Sequence, residues 1–249
     1  MRGRIVWVIG ASGTIGQAIA KVLAAAGAEV VVSARSVDKL EALAAEIAAA
    51  GGRAQVRRLD LRSRADVDAA AREIAARSGR IDALVNSTSL SIFGDFLELS
   101  DEQWHDVLDA KLVGYVRSMR AVLPFMVQQG GGSIVNISGR GGRQPTPAHL
   151  PGGSANAAVN LIGKGLADAF HRHGIRVNTV APGPIQSERF EKIRASNERV
   201  SGGTPPRAGL DRMGRPEDVA QAVLWLLSDA ARHSTGIVIP VDGGGTATV

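Results

Sequence analysis

Cysteine is absent from this 249-residue chain, and aromatic residues make up only 4% of it, with a single tyrosine. The lack of cysteine excludes a disulfide framework, a thiolate metal site and a cysteine nucleophile. No apolar run approaches the roughly 18 residues that a membrane-spanning helix requires, so we expect no membrane span. Residues 1–10 lack the pattern of an export signal and lead straight into a strand-like stretch. The sequence therefore predicts a globular, cytoplasmic protein.

Lysine is also scarce, because only five of the 29 basic residues are lysines, although the net charge is +5. The arginines alternate with acidic residues along helix-like segments. Their densest group, Arg57, Arg58, Arg62 and Arg64, has no aromatic residues between its members. This distribution is typical of a solvated surface, and we expect no nucleic-acid partner.

Short apolar runs alternate with segments of helical spacing along the whole chain. The runs are residues 5–9, 30–32, 54–59, 81–85, 134–137, 175–180 and 237–241. Neighbouring parallel strands need a crossover connection, which is usually a helix. Strands that alternate with helices therefore indicate a parallel sheet. The sequence predicts an α/β protein with a Rossmann-type, doubly wound sheet of seven mainly parallel strands and helices on both faces. We expect one domain over residues 1–249, with substrate loops at about 139–153 and 184–214.

A glycine-rich turn follows the first predicted strand. It places Gly10, Gly13 and Gly16 directly before a good helical pattern. Glycines at such a turn let the backbone approach a pyrophosphate, and the helix then presents unpaired N–H groups to that anion. Strand, turn and helix in this order predict a dinucleotide site.

The end of the second strand indicates which dinucleotide is bound. A site for NAD carries a carboxylate there for the ribose 2′-hydroxyl, whereas this chain has Arg35 and Ser36. An arginine offers charge-assisted donors to a 2′-phosphate, so we expect NADP(H) to be favoured over NAD(H). The alternative is that Arg35 is an ordinary solvated residue.

These motifs, together with others along nearly the whole chain, resemble the short-chain dehydrogenase/reductase superfamily. The further motifs are Asp60-Leu61, Asn86, Ser138, Arg176-Val177-Asn178, Pro182-Gly183 and Val241-Asp242-Gly243-Gly244. The resemblance implies an NAD(P)-dependent oxidoreductase that forms a homotetramer or homodimer through helices at about 104–129 and 154–173. Combined with the glycine turn, it implies the following cofactor-binding residues: Gly10, Ser12, Gly13, Thr14, Ile15, Gly16, Arg35, Ser36, Asp60, Leu61, Asn86, Ser87, Pro182, Gly183, Ile185 and Ser187.

The catalytic positions depart from the family pattern. The family's serine corresponds to Ser138, but its tyrosine position falls on Gly152 and its lysine position on Asn156. Lys111 stands where the family has an asparagine that anchors a water molecule, so lysine and asparagine have exchanged places. We interpret the chain as a divergent member that lacks the catalytic tyrosine and lysine. The one tyrosine, Tyr115, cannot be assigned the role by its spacing.

Two residues, or a water molecule acting through Ser138, are candidates for supplying the missing proton. Lys111 would enter the pocket from the opposite wall, and His149 lies three residues before Gly152 and has a side chain that titrates near neutral pH. Alternatively, Lys111 points to solvent and the site has lost its catalytic function. Arg140 and Arg143 would either hold an anionic group of the substrate or be solvated. The candidate catalytic residues are Ser138, Lys111, His149 and Asn156, and we expect no metal.

Three classes of function remain open. The first is an NADP(H)-dependent oxidoreductase that acts on a carbonyl, alcohol or enoyl-type small molecule with a non-standard proton donor. The second is a catalytically inactive NADP-binding subunit that regulates or partners an active relative. The third is a non-redox lyase or isomerase that reuses the pocket.

Overall fold

A parallel β-sheet forms the centre of the molecule in the computed structural model, which describes residues 1–201 and 213–246. Within these residues the sheet has seven strands in the order β3-β2-β1-β4-β5-β6-β7, and every neighbouring pair is parallel. The strands are β1 (Ile5–Ile9), β2 (Glu29–Ala34), β3 (Arg53–Arg58), β4 (Ala83–Asn86), β5 (Gly132–Ile137), β6 (Ile175–Pro182) and β7 (Val238–Val241). The predicted fold class is therefore confirmed.

Helices cover both faces of this sheet. They are α1 (Thr14–Ala25), α2 (Val37–Ala49), α3 (Arg64–Ser78), α4 (Asp101–Val107), α5 (Gly114–Gln128), α6 (Leu150–Phe170), α7 (Glu188–Ser201) and α8 (Pro216–Leu227). Side chains that alternate along a strand point to opposite faces. In β1, Val6 and Val8 pack with α1, α2 and α8, whereas Trp7 and Ile9 pack with α3, α5 and α6. Burial on both faces explains why β1 has no polar residue.

The predicted loops and the first predicted long helix differ from what is observed. The stretch 139–153 contains two short 3₁₀ turns and already includes the start of α6 at Leu150. The stretch 184–214 contains the 14-residue helix α7. Residues 202–212 of this stretch lie outside the described part of the chain. The helix expected at 104–129 consists of α4, a π-helical segment (Leu108–Val113) and α5. A π-helical turn inside a helix frequently marks a functional site.

The order of the strands creates a crevice at their carboxyl ends. The chain winds outward from β1 through β2 to β3, then returns to β4 on the other side of β1. Loops that follow β1 and β4 consequently leave the sheet in opposite directions, and the opening between them is where ligands bind in such folds.

Gly10 lies at this crevice, where the loops that follow β1 and β4 approach each other closely. Its φ is +83°, and a Cβ there would lie 2.5 Å from the main-chain oxygen of Ser87. Gly51 has a similar φ of +80° but has no atom within 4 Å of its Cβ position. We expect Gly51→Ala to cost about 1 kcal/mol and Gly10→Ala about 2–4 kcal/mol, because only the second adds a steric clash to the left-handed backbone.

Urea unfolding without nucleotide measures both values. Equal losses of unfolding free energy in the two variants would contradict the close approach of the loops after β1 and β4.

Candidate active site

A cavity of about 550 Å³ lies at the carboxyl ends of the central strands. Its wall includes the glycine turn, the ends of β5 and β6, the π-helical segment, the start of α6 and the start of α7. Residues from both predicted substrate loops contribute to this wall.

The glycine turn forms one end of the cavity. The main-chain oxygen of Ser33 accepts hydrogen bonds from the N–H groups of Gly10 and Ala11 at 2.8 and 3.2 Å. A Cβ on Gly16 would lie 2.2 Å from the Gly10 oxygen, so only glycine lets α1 pack this close to the turn. No side chain caps α1 at Gly13. Its first N–H groups therefore remain available to an anion, which fits the pyrophosphate of a dinucleotide.

Most of the predicted cofactor residues meet on this wall. Those that line the cavity are Ser12, Gly13, Thr14, Ile15, Gly16, Ser87, Pro182, Gly183, Ile185 and Ser187. A Cβ on Gly183 would lie 2.5 Å from the Asp242 Cβ, so this position also requires glycine.

The structure places the side chains of Asn86 and Leu61 in the core and not on the cavity wall, and their role in binding a cofactor stays a prediction. Asn86 is fully buried, where it donates to Asn136 Oδ1 at 2.9 Å and accepts from Ser118 Oγ at 2.8 Å. Leu61 is buried against the α-carbon of Gly114. Both side chains stabilise the core beneath the site, because a buried amide needs partners and a buried leucine needs packing.

Three other predicted residues lie beside the cavity and not on its wall. Arg35 and Ser36 directly follow β2 and are exposed. Asp60 accepts a hydrogen bond from the Arg62 N–H at 3.0 Å through its carboxylate. They remain predictions for the adenosine half of a dinucleotide.

Lys111 lies in the cavity wall and not in solvent. Only 6% of it is exposed, and its Nζ donates to the main-chain oxygen of Ser138 at 3.1 Å. The ammonium also lies 5.8 Å from the centre of the Tyr115 ring. Burial, followed by the charge of Arg189, lowers the pKa of Lys111 from 10.5 to about 7. The alternative in which Lys111 points to solvent is therefore wrong.

Tyr115 is fully buried beside Lys111 and holds the strand ends together. Its hydroxyl lies 3.1 Å from the main-chain oxygens of both Thr88 and Ile137. Burial raises the pKa of the phenol, so it stays protonated. We assign it a structural role, because its one proton is committed to main-chain oxygens.

The imidazole of His149 occupies the space in which a side chain at position 152 would lie. A Cβ on Gly152 would be 1.9 Å from His149 Nε2. Nε2 also lies 3.2 Å from a guanidinium nitrogen of Arg189. Since arginine only donates, Nε2 is the acceptor and the ring proton lies on Nδ1.

The same environment keeps His149 neutral. Burial, then the charges of Arg189 and Lys111, lowers its pKa from 6.5 to about 3. A neutral imidazole whose Nε2 is already bonded is a poor proton donor. This environment argues against the predicted role of His149 as a proton carrier near neutral pH.

Asn156 and Ser138 complete the inner wall. Asn156 is 4% exposed, and its Oδ1 is buried without a hydrogen-bond partner in the described part of the chain. The Ser138 hydroxyl makes only a long contact of 3.4 Å with the Val180 oxygen. An unpaired buried acceptor is costly, so Asn156 is suited to receive a hydroxyl group of a ligand.

Arg189 is a site residue that the sequence analysis did not identify. It lies in the first turn of α7, and its guanidinium stacks over the Phe93 ring at 5.0 Å. No sequence motif includes Arg189. The sequence of α7 is mostly polar, so the sequence analysis predicted an irregular loop there.

The described part of the chain contains no cluster of His, Asp or Glu side chains arranged to hold a metal ion. No helix within residues 1–201 or 213–246 has both the length and the apolar character that a membrane crossing demands.

The fold and the glycine turn are typical of dinucleotide-binding α/β proteins, and comparison with known proteins gives the family. The family model described as enoyl-(acyl carrier protein) reductase matches residues 10–246. The chain belongs to the short-chain dehydrogenase/reductase superfamily of oxidoreductases, as its sequence motifs suggested.

Similar proteins cover nearly the whole chain. A 3-oxoacyl-(acyl-carrier-protein) reductase of Thermotoga maritima is 32% identical over 98% of this chain and 98% of its own length. An A-factor type γ-butyrolactone 1′-reductase of Streptomyces virginiae is 36% identical over 98% and 95%, respectively. A gluconate 5-dehydrogenase of Burkholderia cenocepacia, solved with NADP and tartrate, is 29% identical with a TM-score of 0.92, covering 100% of this chain and 97% of its own.

The packing of His149 on Gly152 generates a prediction. Gly152→Ala places a methyl group where the imidazole lies, so the ring has to leave its buried position. We expect the His149 pKa to rise from about 3 toward 6.5, with a loss of about 1–3 kcal/mol in unfolding free energy.

NMR titration of the histidine ring protons measures this pKa. Gly165→Ala on the same helix is the control, because no atom lies within 4 Å of its Cβ position. An unchanged His149 titration in Gly152→Ala would refute the placement of the ring.

Proposed function

We propose that this protein is an NADP(H)-dependent oxidoreductase that interconverts a carbonyl and an alcohol, with Lys111 in place of the family's tyrosine as the proton donor. The reductase names of the Thermotoga and Streptomyces relatives support the reaction class. The single observation that carries the proposal is the Lys111 ammonium, which lies buried in the cavity wall without a carboxylate partner in the described residues.

The cavity wall fits a dinucleotide. The glycine turn and the uncapped start of α1 would hold the pyrophosphate. Asn156, at the position of the family's lysine, would accept a ribose hydroxyl through its unpartnered Oδ1. An ammonium at this position would donate to the ribose, whereas the Asn156 oxygen would accept from a ribose hydroxyl.

Two basic residues favour the phosphorylated form of the cofactor. Arg35 is exposed at the end of β2 and forms no ion pair within the described residues. Lys39, in the first half of α2, lies on the cavity wall near the glycine turn. A guanidinium binds a phosphate dianion strongly, and no carboxylate at the end of β2 opposes it.

The bound cofactor would supply a hydride to the carbonyl carbon. The Ser138 hydroxyl would orient the carbonyl oxygen by a hydrogen bond. Lys111 would donate a proton from Nζ to the same oxygen, so that hydride and proton together yield the alcohol and leave a neutral amine. Since the pKa of Lys111 is about 7, both forms are accessible and solvent restores the proton.

The reaction rate is expected to follow the protonation of Lys111. For reduction the ammonium must be present, so kcat/KM for the substrate with saturating NADPH stays constant below about pH 7 and falls tenfold per pH unit above it. Lys111→Met should lower kcat by about 100-fold or more and remove this dependence.

The assay follows NADPH oxidation with the best substrate from a panel of ketones, keto acids and acyl thioesters. Lys164→Met is the control, because Lys164 is exposed and pairs with Asp168 on the outer face of α6. Unimpaired turnover in Lys111→Met would refute the assigned donor. NADPH binding without turnover on the whole panel would favour the inactive subunit.

Cofactor preference gives a separate prediction. Arg35→Ala should weaken NADPH binding by about tenfold or more, since a charge-assisted pair is lost, and leave NADH binding unchanged. Fluorescence titration measures both affinities. Arg53→Ala, at the opposite end of the sheet in β3, is the matched control. Equal weakening of both nucleotides in Arg35→Ala would contradict the contact with the 2′-phosphate.

A further inference from the structure

Three basic side chains on the cavity wall lie close enough for the charges of two of them to affect the others. This basic cluster consists of Lys111, His149 and Arg189, all of which line the cavity. None of them forms an ion pair with a carboxylate in the described part of the chain. We propose that the substrate carries a carboxylate, which Arg189 binds beside the reacting carbonyl. The proposal rests on the proposed function and adds the substrate class to it.

The contacts of Arg189 leave its charge uncompensated. Its guanidinium donates to the Leu90 oxygen at 2.5 Å, to Ser91 Oγ at 3.3 Å and to His149 Nε2 at 3.2 Å. All three acceptors are neutral, as is the Phe93 ring beneath the guanidinium. The neighbouring Glu188 is exposed and makes no ion pair with it.

The surroundings make this unpaired charge unfavourable. Burial lowers the pKa of Arg189 to about 10, and the charge of Arg189 contributes to lowering the pKa values of Lys111 and His149. Arg189 also lies at the amino end of α7, where the helix dipole is already positive. A partly buried cation that repels its neighbours is stabilised when an anion binds beside it.

The position and shape of the guanidinium indicate the kind of anion. Its contacts are with residues 90–93 and with His149, and none is with the glycine turn that would hold the pyrophosphate. Two of its five N–H groups have no partner among the described residues, namely that on Nε and one on Nη2. Two donors in a planar fork match the two oxygens of one carboxylate.

The test measures binding without turnover. The protein is saturated with NADP⁺, which cannot reduce a ketone, and is titrated calorimetrically with acetoacetate and levulinate and with the methyl ester of each. We expect at least one acid to bind tenfold or more tightly than its ester. Arg189→Gln should abolish this difference, and Arg189→Lys should keep part of it because the charge remains without the fork.

Arg194→Gln is the matched control, because Arg194 lies on the same helix, is exposed and pairs with Glu191. It should retain the full preference for the acid. NADPH affinity and melting temperature establish that Arg189→Gln is folded.

The outcomes separate the two proposals. Equal affinities of acid and ester, no measurable binding of either acid, or an acid preference that survives in Arg189→Gln would each overturn the carboxylate site. A wild-type protein that prefers the acids but never oxidises NADPH would support the site and overturn the oxidoreductase function.

Discussion

An ammonium group within a protein wall keeps its charge only if nearby dipoles, water or an anion replace its lost hydration. The site depends on how this constraint is met at Lys111. One main-chain oxygen, that of Ser138, and the face of Tyr115 provide partial compensation. Compensation that is only partial leaves the group with a pKa of about 7, and such a group both releases and regains a proton readily near neutral pH.

The second constraint is steric and links His149 and Gly152 to Arg189, which is distant from them in the sequence. The His149 ring fills the volume over the Gly152 α-carbon, and Arg189 fixes the ring by donating to its Nε2. A tyrosine at position 152 and the present position of His149 exclude each other. Introducing a tyrosine at position 152 alone would therefore displace the His149 ring and disrupt its contact with Arg189 in α7.

The sequence predicts well those features that depend on local pattern. Strand β1 matches the predicted residues 5–9, and the glycine turn has the expected geometry, because both follow from burial and from backbone requirements at single positions. Features that depend on packing between distant segments escaped prediction. Asn86 has the family's residue type but bonds inward to Asn136, and Arg189 belongs to a helix of mostly polar composition.

His149 shows that the residue type alone does not predict the charge of a side chain in the folded protein. Its residue type suggests a titrating group at neutral pH, but α6 begins directly after it at Leu150 and directs the ring onto Gly152. Burial and two neighbouring cations then keep the ring neutral. Residue type sets the ordinary pKa, whereas the tertiary environment decides the charge in the folded protein.

Arg189 and Lys111, the proposed proton donor, are coupled electrostatically. The charge of Arg189 is one cause, after burial, of the low pKa of Lys111. A carboxylate bound to Arg189 would offset this repulsion and favour the protonated form of Lys111. Substrate binding would thus favour protonation of Lys111, which supplies the proton that the proposed reaction consumes. Product release would make Lys111 easier to deprotonate. By linkage, the protein with Lys111 in its ammonium form would bind the carboxylate more tightly than the protein with the neutral amine. Electrostatic coupling would in this way connect substrate binding to the proposed proton transfer.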